Sequence, residues 1–363
     1  LMSLLWLFLV AGLVAMAQGW LFRRVGLRKL HYERRFSTPA AFAGDEVEMV
    51  ETLVNRSRLP VPWLRVQSRV PAALQFGANA RVEGGMYHRS LFFVRPRSRL
   101  VRRHRVTLTR RGCFRAGSVA LSAGDLFGAS TGELQLETGA MICAYPRPTP
   151  LTELPLPCSR FMGELLVRRF LNPDPFLMCG VRPYRPGDAR RDVHWAATAK
   201  MRQLMVKTFD YSADPRLLVV LNVQRSEGQW ADLTEAESEA IERGISLAAA
   251  VCLHVIDQGA EAGFCANTDL EHDGAPAFLR PARSEQQKSA LLALLSRLTL
   301  RMRTNFYAYL EGLALPPGTT DVLVLSCYES RRVADALARM RASGVKTMCY
   351  HLSGGRNDDE SAA

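Results

Sequence analysis

Five prolines fall at positions 146, 148, 150, 155 and 157, inside the stretch from Tyr145 to Cys158. Proline fixes φ and offers no backbone N–H, so neither a strand nor a helix runs unbroken through such a segment, and an extended connector over 146–160 is expected. The chain must therefore be built from separate parts on the two sides, and the two sides show different hydrophobic periods. Between 30 and 145, short alternating apolar runs recur with turn residues between them: 46–54, 63–70, 90–94, 105–109, 118–121 and 134–144. That spacing predicts an all-β, Ig-like sandwich. On the far side, Leu217 to Leu221 is unbroken apolar sequence, the pattern of a strand covered on both faces. Helical stretches at about 232–258, 284–300 and 330–343 alternate with strand-like 262–266, 321–326 and 346–352. This predicts a doubly wound α/β domain over 211–353, with a polar, disordered tail over 354–363. With 363 residues, 48% of them hydrophobic, two real cores are within reach.

The net charge is +12, and nine arginines with no acidic residue lie between Arg95 and Arg115. Every other residue of a strand faces the same side, so this run reads as a solvated sheet face lying near an anionic lipid surface. No recognition helix, stacking aromatics or zinc finger accompanies the charge, so no nucleic-acid partner is expected. Eight cysteines stand at 113, 143, 158, 179, 252, 265, 327 and 349 without metal-finger or CxxC spacing. Buried thiols in a reducing compartment are the expectation.

Leu1 to Phe22 carries no charge, and about 20 apolar residues suffice to cross a bilayer as a helix. Ala15-Met16-Ala17 imitates a signal-peptide cleavage site, but the positive charge follows the apolar run instead of preceding it. Arg23, Arg24, Arg28, Lys29, Arg34 and Arg35 on that flank place the following domains in the cytoplasm by the positive-inside rule. The expectation is a single-pass protein of a bacterial cell membrane, anchored in the lipid bilayer by a transmembrane helix over 1–22. The leading leucine suggests a literally translated alternative start codon or a truncated fragment.

The segment from Cys179 to Lys207 gathers the chemistry. Pro186-Gly187 suits the centre of a tight turn, Asp188 a helix N-cap, 189–201 a short helix, and 203–209 a half-buried strand. Arg182, Arg185, Arg190 and Arg191 are costly to bury unpaired. They pair internally with Asp188, Asp192 or Asp210, or they await an anionic partner.

The pattern Arg182-x-Tyr184-x-Pro186-Gly187-Asp188, then Arg191, His194-Trp195, Ala199-Lys200 and Leu204-Met205-Val206-Lys207, resembles the signature of the bacterial domain-of-unknown-function 58 family. Asp192 stands where a second basic residue is common and Lys200 where arginine is usual. Gly44-Asp45, Asn55, Arg111-Gly112-Cys113-Phe114, Gly124-Asp125-Leu126-Phe127-Gly128 and Tyr145-Pro146-Arg147 extend the resemblance. It implies a membrane anchor, a β-sandwich, the signature segment over 161–210, and a von Willebrand factor A-like domain. It implies as company a MoxR-type AAA+ ATPase and a transglutaminase-like membrane protein.

The metal site of such domains has the form Asp-x-Ser-x-Ser with a further aspartate after a later strand. Here the positions hold Asn222, Gln224 and Ser226, then Ser326 and Cys327. Magnesium needs hard anionic oxygen ligands, so the crevice is expected to be degenerate, with no metal and no cofactor. Cys327, or Cys349 beside His351, would serve a cysteine hydrolase acting on a peptide or envelope precursor. A core cysteine beside a surface histidine is the plainer explanation. The sequence therefore reads as a non-catalytic interaction protein, with Arg182, Tyr184, Pro186, Gly187, Asp188, Arg191, His194, Trp195 and Lys207 shaping its binding surface.

Overall fold

The computed structural model describes residues 29–77, 82–83, 87–124, 131–168, 173–186, 188–211, 215–229, 233–271, 273–315 and 320–352, with scattered positions within 6–20. The tail over 354–363 and Gly187 lie outside them, as do most of residues 1–28. Crossing a bilayer takes about 20 apolar helical residues in one run. Among the described residues no helix is long and apolar enough to cross a membrane. The transmembrane helix expected over 1–22, most of which lies outside the described residues, and the single-pass placement in a cell membrane are therefore not supported. The chain is mostly β-sheet and forms two compact units, Leu1–Arg147 and Pro148–Ala363.

Among the described residues the first unit contains twelve strands: β1 (Leu30–Phe36), β2 (Ala40–Phe42), β3 (Glu46–Asn55), β4 (Val61–Arg69), β5 (Leu74–Phe76), β6 (Val82–Glu83), β7 (Tyr87–Val94), β8 (Arg99–Leu108), β9 (Gly112–Arg115), β10 (Ser118–Gly124), β11 (Thr131–Glu137) and β12 (Met141–Tyr145). They form sheets ordered β1-β3-β8-β5, β11-β10-β4-β7-β6 and β2-β12-β9. Strict alternation along β3 buries Val47, Met49, Glu51 and Leu53. One apolar cluster joins Leu30, Leu53, Leu64, Val66 and Leu121 from facing sheets, and a second joins Val47, Met49, Val106, Leu108 and Ile142.

A charged layer lies between these clusters in register. Arg34 follows Tyr32 and precedes Phe36 on the inward phase of β1, while Glu51 lies between Met49 and Leu53 on β3. Arg34 Nη2 donates to Glu51 Oε1 at 2.8 Å and to Ser68 Oγ at 3.0 Å. Tyr32 donates to the same carboxylate oxygen at 2.7 Å, and His104 Nε2 lies 3.1 Å from Glu51 Oε2. All five side chains are buried. Arg34 Nε and Nη1 are buried with no hydrogen-bond partner.

The arginine-rich β8 divides by parity. Arg99, Arg103 and Arg105 face solvent, with Arg103 3.5 Å from Glu48 and Arg105 3.4 Å from Glu46. Arg102 turns inward, 5.6 Å over the Phe92 ring. Cys113 and Cys143 form a disulfide, which corrects the expectation of thiols throughout. The cause is register. Cys143 stands opposite Cys113, and the backbone N–H of Cys143 points away to Pro39, so the two occupy a close, non-hydrogen-bonded pair.

The second unit opens with α1 (Leu156–Arg168), so the connector is shorter than the prolines suggested. Pro157 sits in the first helical turn, where its missing N–H costs nothing. A hairpin follows, of β13 (Pro173–Pro183) and β14 (Met205–Tyr211), enclosing α2 (Trp195–Met201). The main sheet comprises β15 (Arg216–Leu221), β16 (Glu261–Leu270), β17 (Pro276–Ala282), β18 (Leu298–Met302), β19 (Thr320–Ser326) and β20 (Thr347–His351). Its order is β17-β16-β15-β19-β20, with β18 also on β16. β16, β15, β19 and β20 run parallel, and β17 and β18 antiparallel to β16. The helices are α3 (Glu235–Asp257), α4 (Glu285–Ser296), α5 (Phe306–Glu311) and α6 (Arg331–Ala342). Leu218, Val220, Val322 and Val324 pack on α5 and α6. α3 covers the opposite face, where Gly244 leaves space for the side chains of Leu221 and Leu352. A capping box of Thr234 and Glu237 starts α3.

Candidate functional sites

The signature segment is a braced turn leading into a short helix. Arg182 grips Asp188 with both ends of its guanidinium, Nη1 to Oδ2 at 2.7 Å and Nη2 to Oδ1 at 2.6 Å. Asp188 Oδ2 also accepts the Arg185 N–H at 2.7 Å, closing the turn that holds Pro186. The Arg182 hydrogen bonds, followed by the Arg185 N–H, pull the Asp188 carboxyl down to about 2. Asp188 therefore caps no helix. Residues 190–192 form a single 3-10 turn, Val193 bridges to Val206, and His194 is the N-cap of α2. Its Nδ1 accepts the Ala197 N–H at 3.0 Å, so the ring is turned into the helix end. Thr198, absent from the sequence reading, ties α2 to β14 by accepting the Met205 N–H at 2.9 Å. Tyr184 N–H donates to Leu204 O at 2.8 Å and extends the hairpin, while Lys207 pairs in register with Val181.

This bracing separates the arginines by position. Arg182 is consumed internally. Arg185, Arg190 and Arg191 remain exposed, the last only 3.8 Å from its neighbour Asp192. Trp195 is 71% exposed, although its indole is the largest apolar group of the segment.

The ends of β15 and β19 build a different site. Asn222 Nδ2 donates to Ser326 Oγ at 2.9 Å, and Ser326 Oγ donates to Tyr328 O at 2.6 Å. Asn222 Oδ1 accepts the Gln224 N–H at 2.9 Å. Gln224 Oε1 accepts the Phe306 N–H at 2.7 Å at the start of α5, and Gln224 Nε2 donates to Asn305 Oδ1 at 3.2 Å. Asn267 Oδ1 accepts the Val223 N–H at 2.9 Å. Asn222, Gln224, Asn267 and Ser326 are fully buried, whereas Ser226 is exposed and Cys327 half-buried. Asn267, Asn305 and Tyr328 were missed; Asn267 was legible as an amide ending an apolar strand. The donor set is neutral and its lone pairs are already engaged, which does not fit a divalent cation. Among the described residues no group of three or more His, Cys, Asp or Glu could hold a metal.

The thiols are poorly poised for attack. Burial raises Cys327, and it pushes Cys349 up to about 11. Cys349 and His351 alternate along β20, with Cys349 packed at the α5–α6 core and His351 exposed. A nucleophile needs its thiolate near neutral pH.

The chain thus consists of a β-sandwich unit and a parallel α/β unit that carries a cationic hairpin and a neutral crevice. Residues 180–322 match the family model described as "Protein of unknown function DUF58". No curated protein matches it. Solved structures resemble about a third of the chain. One is the CARDB domain of a Pyrococcus furiosus protein, at 11% identity and TM-score 0.19, covering 30% of this chain and 93% of that one. Another is a non-cellulosomal cohesin from Archaeoglobus fulgidus, at 12% identity and TM-score 0.22, covering 31% and 90%. A third comes from a type I cohesin–dockerin complex of Clostridium thermocellum, at 11% identity and TM-score 0.23, covering 31% and 98%.

Proposed function

We propose that the chain is a non-catalytic interaction protein that works as an adaptor with a MoxR-type AAA+ ATPase in the assembly or maturation of envelope components. A transglutaminase-like membrane protein is a further partner in this reading. The observation that carries it is the pairing, in one braced hairpin, of an exposed Trp195 with cations left outside the internal Arg182–Asp188 bridge. The family resemblance supplies the identity of the ATPase. A von Willebrand factor A-like reading of the α/β unit is supported by its parallel strands and by a polar crevice at their carboxyl ends. In this reading the crevice is a clamp between strand ends and α5. The hydrolase reading draws no support from thiols raised by burial.

The test is co-elution of the full chain with a purified MoxR-type ATPase on size exclusion. Arg191→Glu is expected to weaken the complex while leaving the thermal melt of the chain unchanged. Failure of the unaltered chain to bind the ATPase at any salt concentration would sink the adaptor reading.

A further inference from the structure

We propose that the outward face of α2 is a two-part docking site for an acidic protein segment bearing an aliphatic or aromatic side chain. The inference rests on the interaction reading and names the chemistry of the partner. At 100° per residue, Trp195, Ala196, Ala199 and Lys200 fall on one side of α2. Thr198 holds the other side to β14 through Met205. All four outward residues are exposed, and the two alanines beside the indole are too small to cover it. A tryptophan left 71% exposed on a rigid element is the kind of side chain that anchors interfaces.

The surrounding charge selects the occupant. Residues 182–207 contain seven Lys or Arg (182, 185, 190, 191, 200, 202, 207) and two Asp (188, 192), so 7 − 2 gives +5. Asp188 is spent on Arg182, and Asp192 lies beside Arg191. Among the described residues Arg190, Lys200 and Arg202 form no ion pair, and all three are exposed. A partner rich in carboxylates is drawn to this rim and held in register by it. The apolar side chain then packs on Trp195. A nucleic-acid strand is less suited, since the face offers one aromatic ring and two methyl groups where successive bases need a series of stacking rings. The hairpin also comes pre-ordered, because the Arg182–Asp188 bridge, the His194 cap and the Thr198 tie already fix it.

Fluorescence anisotropy with the full chain tests this, using three labelled probes: a peptide alternating glutamate and leucine, an all-glutamate peptide of equal length, and a single-stranded oligonucleotide. The glutamate–leucine peptide is expected to bind at least about tenfold more tightly than the all-glutamate one. Trp195→Ala and the double variant Arg190→Glu/Arg191→Glu should each reduce that binding at least about tenfold. Trp195→Phe and Lys200→Glu serve as second variants should Trp195→Ala lose its cooperative melt. Equal binding of the two peptides, tighter binding of the oligonucleotide, or indifference to Trp195→Ala in a folded chain overturns the proposal. Peptide binding that behaves as stated while the ATPase fails to co-elute leaves this surface standing and removes only the named partner. Co-elution that survives Arg190→Glu/Arg191→Glu keeps the adaptor and discards the surface.

Discussion

The two units each bury a polar network, and the networks are opposites. In the sandwich, Tyr32, Arg34, Glu51, His104 and Ser68 make a charged layer between two apolar clusters. In the α/β unit, Asn222, Gln224, Asn267 and Ser326 make a neutral one at the strand ends. A charged layer carries a steep penalty for any mispairing, because a slip by two residues would keep every side chain on its face yet set Glu51 against apolar neighbours. The neutral network tolerates no charge but is indifferent to pH. One device fixes strand register; the other fastens β15 to β19 and to α5.

The largest effect that could break this contrast is Arg34→Ala, which strands a buried carboxylate and is expected to cost about 3–5 kcal/mol in urea denaturation. Replacing Arg34 and Glu51 together with Met and Leu should recover most of that loss; a double variant as unstable as the single one would show that charge pairing is not what the layer supplies. Acid should expose the same asymmetry. Burial alone would raise Glu51, but the His104 hydrogen bond, the Arg34 charge and the Tyr32 hydrogen bond outweigh it and hold the carboxyl below its ordinary range. A depressed folded value means stability that is complete above the unfolded pKa of about 4.3 and is lost as pH falls toward the folded one. Amide exchange in β3 should therefore accelerate below about pH 4, while the hydrogen bonds of the neutral network stay unchanged; equal acceleration in β15 would dissolve the distinction.

Cys113→Ser opens a bridge spanning 30 residues and should cost about 3–4 kcal/mol. Urea midpoints of oxidised and reduced chains provide the check, and identical midpoints would mean the pair contributes nothing. In the crevice, Gln224→Ala orphans the Phe306 N–H and should cost about 1–3 kcal/mol. Asn222→Asp should lower the melting temperature without rescue by magnesium, and a rescue would revive the crevice as a metal site. The smallest effect is spectroscopic: iodide should quench Trp195 more efficiently than caesium because the nearby guanidiniums concentrate anions. A Trp195→Phe control isolates that signal.

Much of this was legible in strand parity. Leu217 to Leu221 reads as a covered strand, and β15 is the central strand of the sheet. Glu51 was equally readable, as a charge on the apolar phase of Val47, Met49 and Leu53, with Arg34 and His104 likewise out of place on β1 and β8. Three such exceptions in neighbouring strands mark an internal ion cluster, but only long-range pairing shows that they meet. The same limit hid the disulfide, since Cys113 faces Cys143 only once β9 and β12 are in register. Asp before a helical run usually caps it, but Arg182, six residues upstream, claims Asp188 first. The uncharged run from Leu1 to Phe22 predicted a membrane helix from composition alone, and no described helix is long and apolar enough to cross a membrane.

Strand order also sets a timetable. β15 is flanked by β16 and β19, whose residues 261–270 and 320–326 leave the ribosome long after residues 216–221. The hairpin of β13 and β14 needs nothing beyond residue 211. Local pairing is fast and distant pairing slow, so a growing chain displays Trp195 and its arginines while the main sheet is still being synthesised. Whatever recognises that face can meet it during translation.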